Sequence, residues 1–197
     1  MRHVGIFLFD EVEVLDFAGP FEVFSVASQM SNYTQLKVST FGASDSLIRT
    51  KNGLQVKPDF GFDNLPEFNY LVIPGGDGTK KVIQNPALLS FIKQIILNSK
   101  WTMSVCSGSR ILGMIGFLNE KHYCTHHLVF NSMQGIVPSG IARPGLRFVQ
   151  SDDTIWTAAG ISAGIDLALH LLEKTFGEKL AIETANYMEY LPYLESK

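Results

Sequence analysis

In the stretch "MSVCSGSRILGMIGFL" (103–118) a cysteine is followed at once by two small residues. The residues before Cys106 read as a strand and those after it as a helix, so the thiol sits at a strand-to-helix corner. A tight corner of that kind presents its central side chain outward and needs small neighbours, which Ser107 and Gly108 supply. The N–H groups and partial positive charge at a helix start favour thiolate over thiol, which predicts a Cys106 pKa below the ordinary cysteine value. The chemistry this would serve is nucleophilic attack, making Cys106 a nucleophile elbow.

Two further features can meet such a cysteine. Pro74-Gly75-Gly76 closes a strand-like run, and adjacent glycines let the backbone approach a ligand. Together with the N–H of Ser107, the N–H groups of Gly75 and Gly76 are expected to form an oxyanion hole. Asp16 precedes a Gly19-Pro20 turn after the first strand. Protonated, it can donate a hydrogen bond to the thiolate; ionised, it can act as general base on water. Each feature also has an ordinary reading, as a buried thiol, a turn marker and a helix N-cap. His126 and His127 are neighbours in a strand-like run, so at most one faces the site, and His126 is carried as a possible partner of Cys106. Cys124 and His170 lie in apolar contexts and read as structural.

The elements that must position these residues alternate. "RHVGIFLF" (2–9) is an apolar run suited to a central strand, and 16–30 has helical spacing with Pro20 in its first turn. Strands follow at 36–44, 70–74 and 101–106, with a helix over 86–100 and a hairpin at Asn52-Gly53. Beyond the corner come a helix to residue 118, a short strand over 122–127, a short helix over 128–135 and two strands joined at Asp152-Asp153. A helix over 160–177 ends on a glycine, and another closes the chain. Alternation of this kind predicts an α/β fold, a mostly parallel sheet between helix layers, in a single domain over 1–197. The strand ends on one edge of that sheet are where a ligand is expected.

Composition narrows the function. With 46% hydrophobic and 18% charged residues the chain has a globular profile. A net charge of −3 and scattered basic residues argue against nucleic acid. No apolar run is long enough for a membrane helix, and Val4 to Phe9 is too short for a signal-peptide core, so a cytoplasmic location with two free thiols is expected. Neither cysteine has metal-ligand spacing and no phosphate-binding glycine motif occurs, so no metal and no cofactor is expected.

Taken together, "LDFAGPFEVF" (15–24), "YLVIPGG" (70–76), "VCSGSRILGMIGFL" (105–118), "CTHH" (124–127) and "IWTAAGISAGIDLALHLLE" (155–173) resemble the ThiJ/PfpI superfamily. That superfamily lies within the flavodoxin-like, class I glutamine amidotransferase-like fold, and the likeness is closer to its isonitrile hydratase branch. The resemblance implies a homodimer acting on a small molecule, with Cys106 as nucleophile and Asp16 paired to it. Ser107 stands where that branch usually has threonine, and His127 where it commonly has tryptophan. The His-x-Glu needed by glutamine amidotransferases is absent from "AAGISAG", which argues against glutamine hydrolysis. Related regulators carry a further helix-turn-helix domain, for which no room is expected here. The expected activity is hydration of an isonitrile to an N-substituted formamide. The alternatives are a glyoxalase or deglycase, which would need His126 beside Cys106, and a ligand or redox sensor using Cys106.

Overall fold

The structure, a computed structural model, describes residues 1–194; residues 195–197, included in the expected single domain, lie outside the described residues. Its strands are β1 (Arg2–Phe7), β2 (Leu36–Phe41), β3 (Ile48–Arg49), β4 (Gln55–Val56), β5 (Tyr70–Ile73), β6 (Trp101–Ser104), β7 (His122–Tyr123), β8 (Ile141–Ala142), β9 (Phe148–Gln150) and β10 (Ile155–Ala158). Its helices are α1 (Val14–Met30), α2 (Thr79–Val82), α3 (Pro86–Asn98), α4 (Ser109–Met114), α5 (Phe130–Ile136), α6 (Ala163–Phe176), α7 (Glu178–Tyr187) and α8 (Leu191–Leu194).

The apolar runs become the buried centre of one six-stranded sheet, ordered β2-β1-β5-β6-β10-β9 and parallel except for β9. Every residue of β5, β6 and β10 is buried, as a strand covered on both faces requires. The chain runs from β1 outward to β2, then returns to the other side of β1 as β5. Right-handed crossovers in opposite directions send α1 and α3 to opposite faces. Helices α6 and α7 pack beside α1, and α4 packs with α2 and α5. The gap between β1 and β5 is therefore a topological switch point, where loops part and leave a crevice.

Turn chemistry behaves as expected at several joints. Gly53 takes a φ of 93° in the β3–β4 hairpin, and Gly177 takes 97° where α6 ends. Asp152 Oδ1 accepts the N–H groups of Thr154 and Ile155 in the turn between β9 and β10.

Several boundaries differ from expectation, three of them with consequences for the site. Helix α1 begins at Val14, so Pro20 is its seventh residue and no Gly19-Pro20 turn exists. Those two residues form instead a packing notch: a Cβ on Gly19 would lie 2.9 Å from Ile165 of α6, and Pro20 is buried. Strand β7 stops at Tyr123 because the Cys124 N–H leaves the ladder and donates to Thr157 Oγ1 at 2.8 Å. The helix after Cys106 is a single 3-10 turn plus the six residues of α4, not a helix to residue 118. It closes where Gly116 takes a φ of 89° and Phe117 N–H returns to the Leu112 carbonyl.

Candidate active site

Sheet register assembles the site. Ile73 of β5 pairs with Ser104 of β6, and the ladder continues through Val105 N–H to the Ile73 carbonyl at 3.0 Å. Pro74-Gly75-Gly76 therefore runs alongside Val105-Cys106-Ser107. On the other side, β10 ends at Ala158 and the Ala159 carbonyl accepts the Cys106 N–H at 2.9 Å, which brings the Ile161 backbone to the sulfur. From β1 the chain crosses back to this edge, where Glu13 N–H donates to the Gly75 carbonyl at 3.0 Å and α1 starts.

At the corner, Cys106 has a φ of 57°, in the left-handed region that few non-glycine residues occupy. Its backbone is held there on both sides: the N–H by Ala159, the carbonyl by Thr125 Oγ1 at 2.9 Å. Gly108 lies against the Ile73 carbonyl so closely that any Cβ would collide with it, which explains the small residue two positions on. Opposite the thiol, Ile161 also takes a left-handed φ of 51°, costly for a β-branched side chain. Its N–H and that of Ser107 both act on the Cys106 sulfur and favour its charged form.

The side chain paired with that sulfur is Asp16. It sits in the first turn of α1, fully buried, and Oδ2 accepts the Gly75 N–H at 3.0 Å. The carboxyl interacts directly with Cys106, but Oδ1 has no well-formed hydrogen bond among the described residues. Burial raises the Asp16 pKa to about 7, against the opposing pull of the Gly75 N–H. Burial first, and the Asp16 charge second, push the Cys106 thiol up to about 12. The expected low-pKa thiolate is thus overturned: the helix behind Cys106 is short, and the thiol is buried beside the Asp16 carboxyl. The two groups titrate as a coupled pair that holds on to a proton, with the carboxyl placed to exchange it with the sulfur.

Both glycine N–H groups expected to face a substrate are engaged within the protein. Gly75 serves Asp16, and the Gly76 N–H donates to Ser107 Oγ at 2.9 Å. Gly75 is required by closeness instead, since a Cβ there would lie 2.5 Å from the Ser107 nitrogen and 2.8 Å from Asp16 Oδ2. The backbone donors aimed at the reacting sulfur are those of Ser107 and Ile161. Ile161 escaped the sequence reading because nothing in "AAGISAG" marks an isoleucine for a left-handed turn.

Cys106, 7% exposed, opens on a cavity of about 300 Å³ that Gly76, Ser107, Arg110, His126 and Ile161 help to line. Asp16 and Gly75 do not reach it. His126 lines the cavity but makes no hydrogen bond to Cys106 among the described residues; its Nδ1 accepts the Leu128 N–H at 3.3 Å. Burial, His127 and Lys51 hold its pKa below the ordinary value, so the ring is neutral at pH 7. His127 does not turn to an opposite face, because the strand has already ended; its ring lies 4.3 Å from that of His126. Cys124 is fully buried and its thiol donates to the Arg143 carbonyl at 3.3 Å, a structural role. A larger cavity of about 500 Å³, lined by Leu65, Phe68 and Asn69 among others, lies before β5 at the far edge of the sheet and holds no nucleophile.

A parallel sheet between helix layers, with a strained cysteine at the end of a central strand, defines the class, and the family model of the DJ-1/PfpI family matches residues 2–174. The chain belongs to that family. It is 30% identical over 189 residues to an isonitrile hydratase of Pseudomonas putida, covering 96% of this chain and 78% of that one. It is 24% identical over 189 residues to a helix-turn-helix-type transcriptional regulator of Pseudomonas aeruginosa, covering 96% of this chain but 51% of the regulator. Among solved structures, a ThiJ/PfpI family protein from Pseudomonas syringae superposes with a TM-score of 0.85 at 26% identity, covering 96% of this chain and 75% of that one. No helix among the described residues is long and apolar enough to cross a membrane.

Proposed function

We propose that this protein hydrates a small isonitrile to the N-substituted formamide, using Cys106 as nucleophile and Asp16 as its proton partner. The observation that carries the reading is the identity of the group beside the sulfur: Asp16, and not His126. A glyoxalase-type proton shuttle would call for the histidine in that place.

As Cys106 sulfur attacks the terminal carbon of R–N≡C, its proton passes to the Asp16 carboxylate and from there to carbon. The product of this step is a thioimidate, R–N=CH–S–Cys106. Water then adds to that carbon, the C–S bond breaks, the thiol regains its proton, and R–NH–CHO leaves. The sum is one isonitrile plus one water, with no redox change and no cofactor. The Ser107 and Ile161 N–H groups stabilise negative charge on sulfur in both steps. Asp16 is fully buried and off the cavity wall, against the sulfur, so it serves the proton that moves between sulfur and the carbon bonded to it, and not the incoming water. Water reaches the thioimidate through the cavity, where the neutral His126 ring is the base at hand.

The protein works, in this reading, as a cytoplasmic homodimer; the two free cysteines suit a reducing compartment. The test is proton NMR of an alkyl isonitrile incubated with wild type and with Cys106→Ala. Formamide from wild type alone is the expected result, and none from either protein would overturn the reading.

A further inference from the structure

Arg110 begins the cavity wall four residues beyond the nucleophile and is only 9% exposed. Its Nη1 donates to Thr79 Oγ1 and its Nη2 to Ser132 Oγ, each at 3.2 Å. Both acceptors are neutral hydroxyls, and no ion pair among the described residues includes this guanidinium. A guanidinium cannot shed its proton, so its charge stays buried without an opposite partner, an arrangement that folding disfavours.

The other charges on the wall are already matched. Lys51 lies 3.4 Å from Asp77 and 3.9 Å from Glu13, and Lys80 lies 2.8 Å from Asp77. On the cavity wall itself three cations thus face two carboxylates, Asp16 lying off the wall beside the sulfur, and the cation with no ion-pair partner is Arg110.

We propose that the substrate supplies the missing charge: the cavity takes a small electrophile bearing one carboxylate, anchored on Arg110 while its reactive carbon meets Cys106. A planar guanidinium has the fork geometry for a carboxylate. One surplus cation matches a single negative charge, whereas a phosphate dianion would also confront Glu13 and Asp77 on the same wall. Resting on the hydratase reading above, the substrate class is an isonitrile carrying a carboxylic acid, and the product an N-formylamino acid. The reaction supplying it must then build an isonitrile on an amino acid skeleton.

Iodoacetate and iodoacetamide alkylate the same thiol and differ by one charge, so their rates on Cys106 at pH 9 read the anchor directly. The ratio of iodoacetate to iodoacetamide rate is expected to fall tenfold or more in Arg110→Gln and to recover largely in Arg110→Lys. In the wild type alone, propionate should slow iodoacetamide labelling saturably, while propionamide and inorganic phosphate should not. An unchanged ratio in Arg110→Gln, equal protection by propionamide, or protection by phosphate alone would overturn the proposal. No isonitrile enters these measurements, so they decide the anchor even if hydration is never seen. Conversely, hydration of neutral isonitriles with an unchanged ratio would keep the reaction and discard the anchor.

Discussion

Asp16, from the first turn of α1, and Cys106, from the corner after β6, lie ninety residues apart in sequence, yet the carboxyl and the thiol meet in one buried place. Asp16 raises the proton affinity of the sulfur, burial raises that of Asp16, and only the sulfur reaches the cavity. That asymmetry assigns the roles: the thiol meets the substrate and the carboxylate manages its proton.

Asp16 should cost stability at neutral pH. Its folded-state pKa of about 7 lies above the ordinary 3.8, so between those values the native state holds a proton that the unfolded chain has lost. Stability therefore falls as pH rises from about 4 to 7, and the cost is complete above 7, with an upper limit of about 4 kcal/mol. Asn at position 16 keeps an acceptor for the Gly75 N–H and carries no charge. Thermal melts should show Asp16→Asn close to wild type at pH 4 and several degrees above it at pH 8. A constant difference across that range would contradict the assignment.

Thiol labelling separates the two cysteines. Cys106 lines a cavity and Cys124 is sealed, so iodoacetamide at pH 7 should label Cys106 first, as peptide mass mapping would read. Because its thiol is pushed up to about 12, labelling should be slower than for an exposed cysteine and should keep climbing to pH 10. First labelling of Cys124, or a rate that levels off below pH 8, would be the contrary finding.

Much of this was legible beforehand. Apolar runs marked β1 and β5, alternation with helices marked β6, Asn52-Gly53 marked a hairpin, and Cys106 and Asp16 were both named from their neighbours. The rest depends on tertiary placement. That Pro20 lies deeper in α1 than its first turn goes with the packing of Gly19 and Pro20 against α6, and that the Gly75 and Gly76 N–H groups are occupied follows from where Asp16 and Ser107 come to rest. The raised thiol pKa is likewise a product of burial beside a carboxylate, which the helix start alone could not reveal. Ile161 carries the same lesson, since its part lies in its backbone conformation and not in its side-chain type.

The second step should expose His126. If its neutral ring activates water, His126→Ala should form the thioimidate normally and hydrolyse it slowly. Intact mass spectrometry after mixing with an alkyl isonitrile would then find protein heavier by one isonitrile on Cys106. Turnover should drop about tenfold to a hundredfold. Full turnover with no adduct would remove His126 from the chemistry.

Assembly is open to a direct reading. The homodimer implied by the family resemblance should give a light-scattering mass near 44 kDa, twice the 21.8 kDa of one chain. A mass of one chain across a wide concentration range would exclude it.

The central claim is the proton partnership, and the most direct measurement of it is formamide production by Asp16→Asn at pH 8, followed by proton NMR. Wild type is expected to hydrate an alkyl isonitrile, and the variant, folded by circular dichroism, to be slower by about a hundredfold or more, the scale of one general acid–base group. Wild-type activity that survives intact in Asp16→Asn would contradict it.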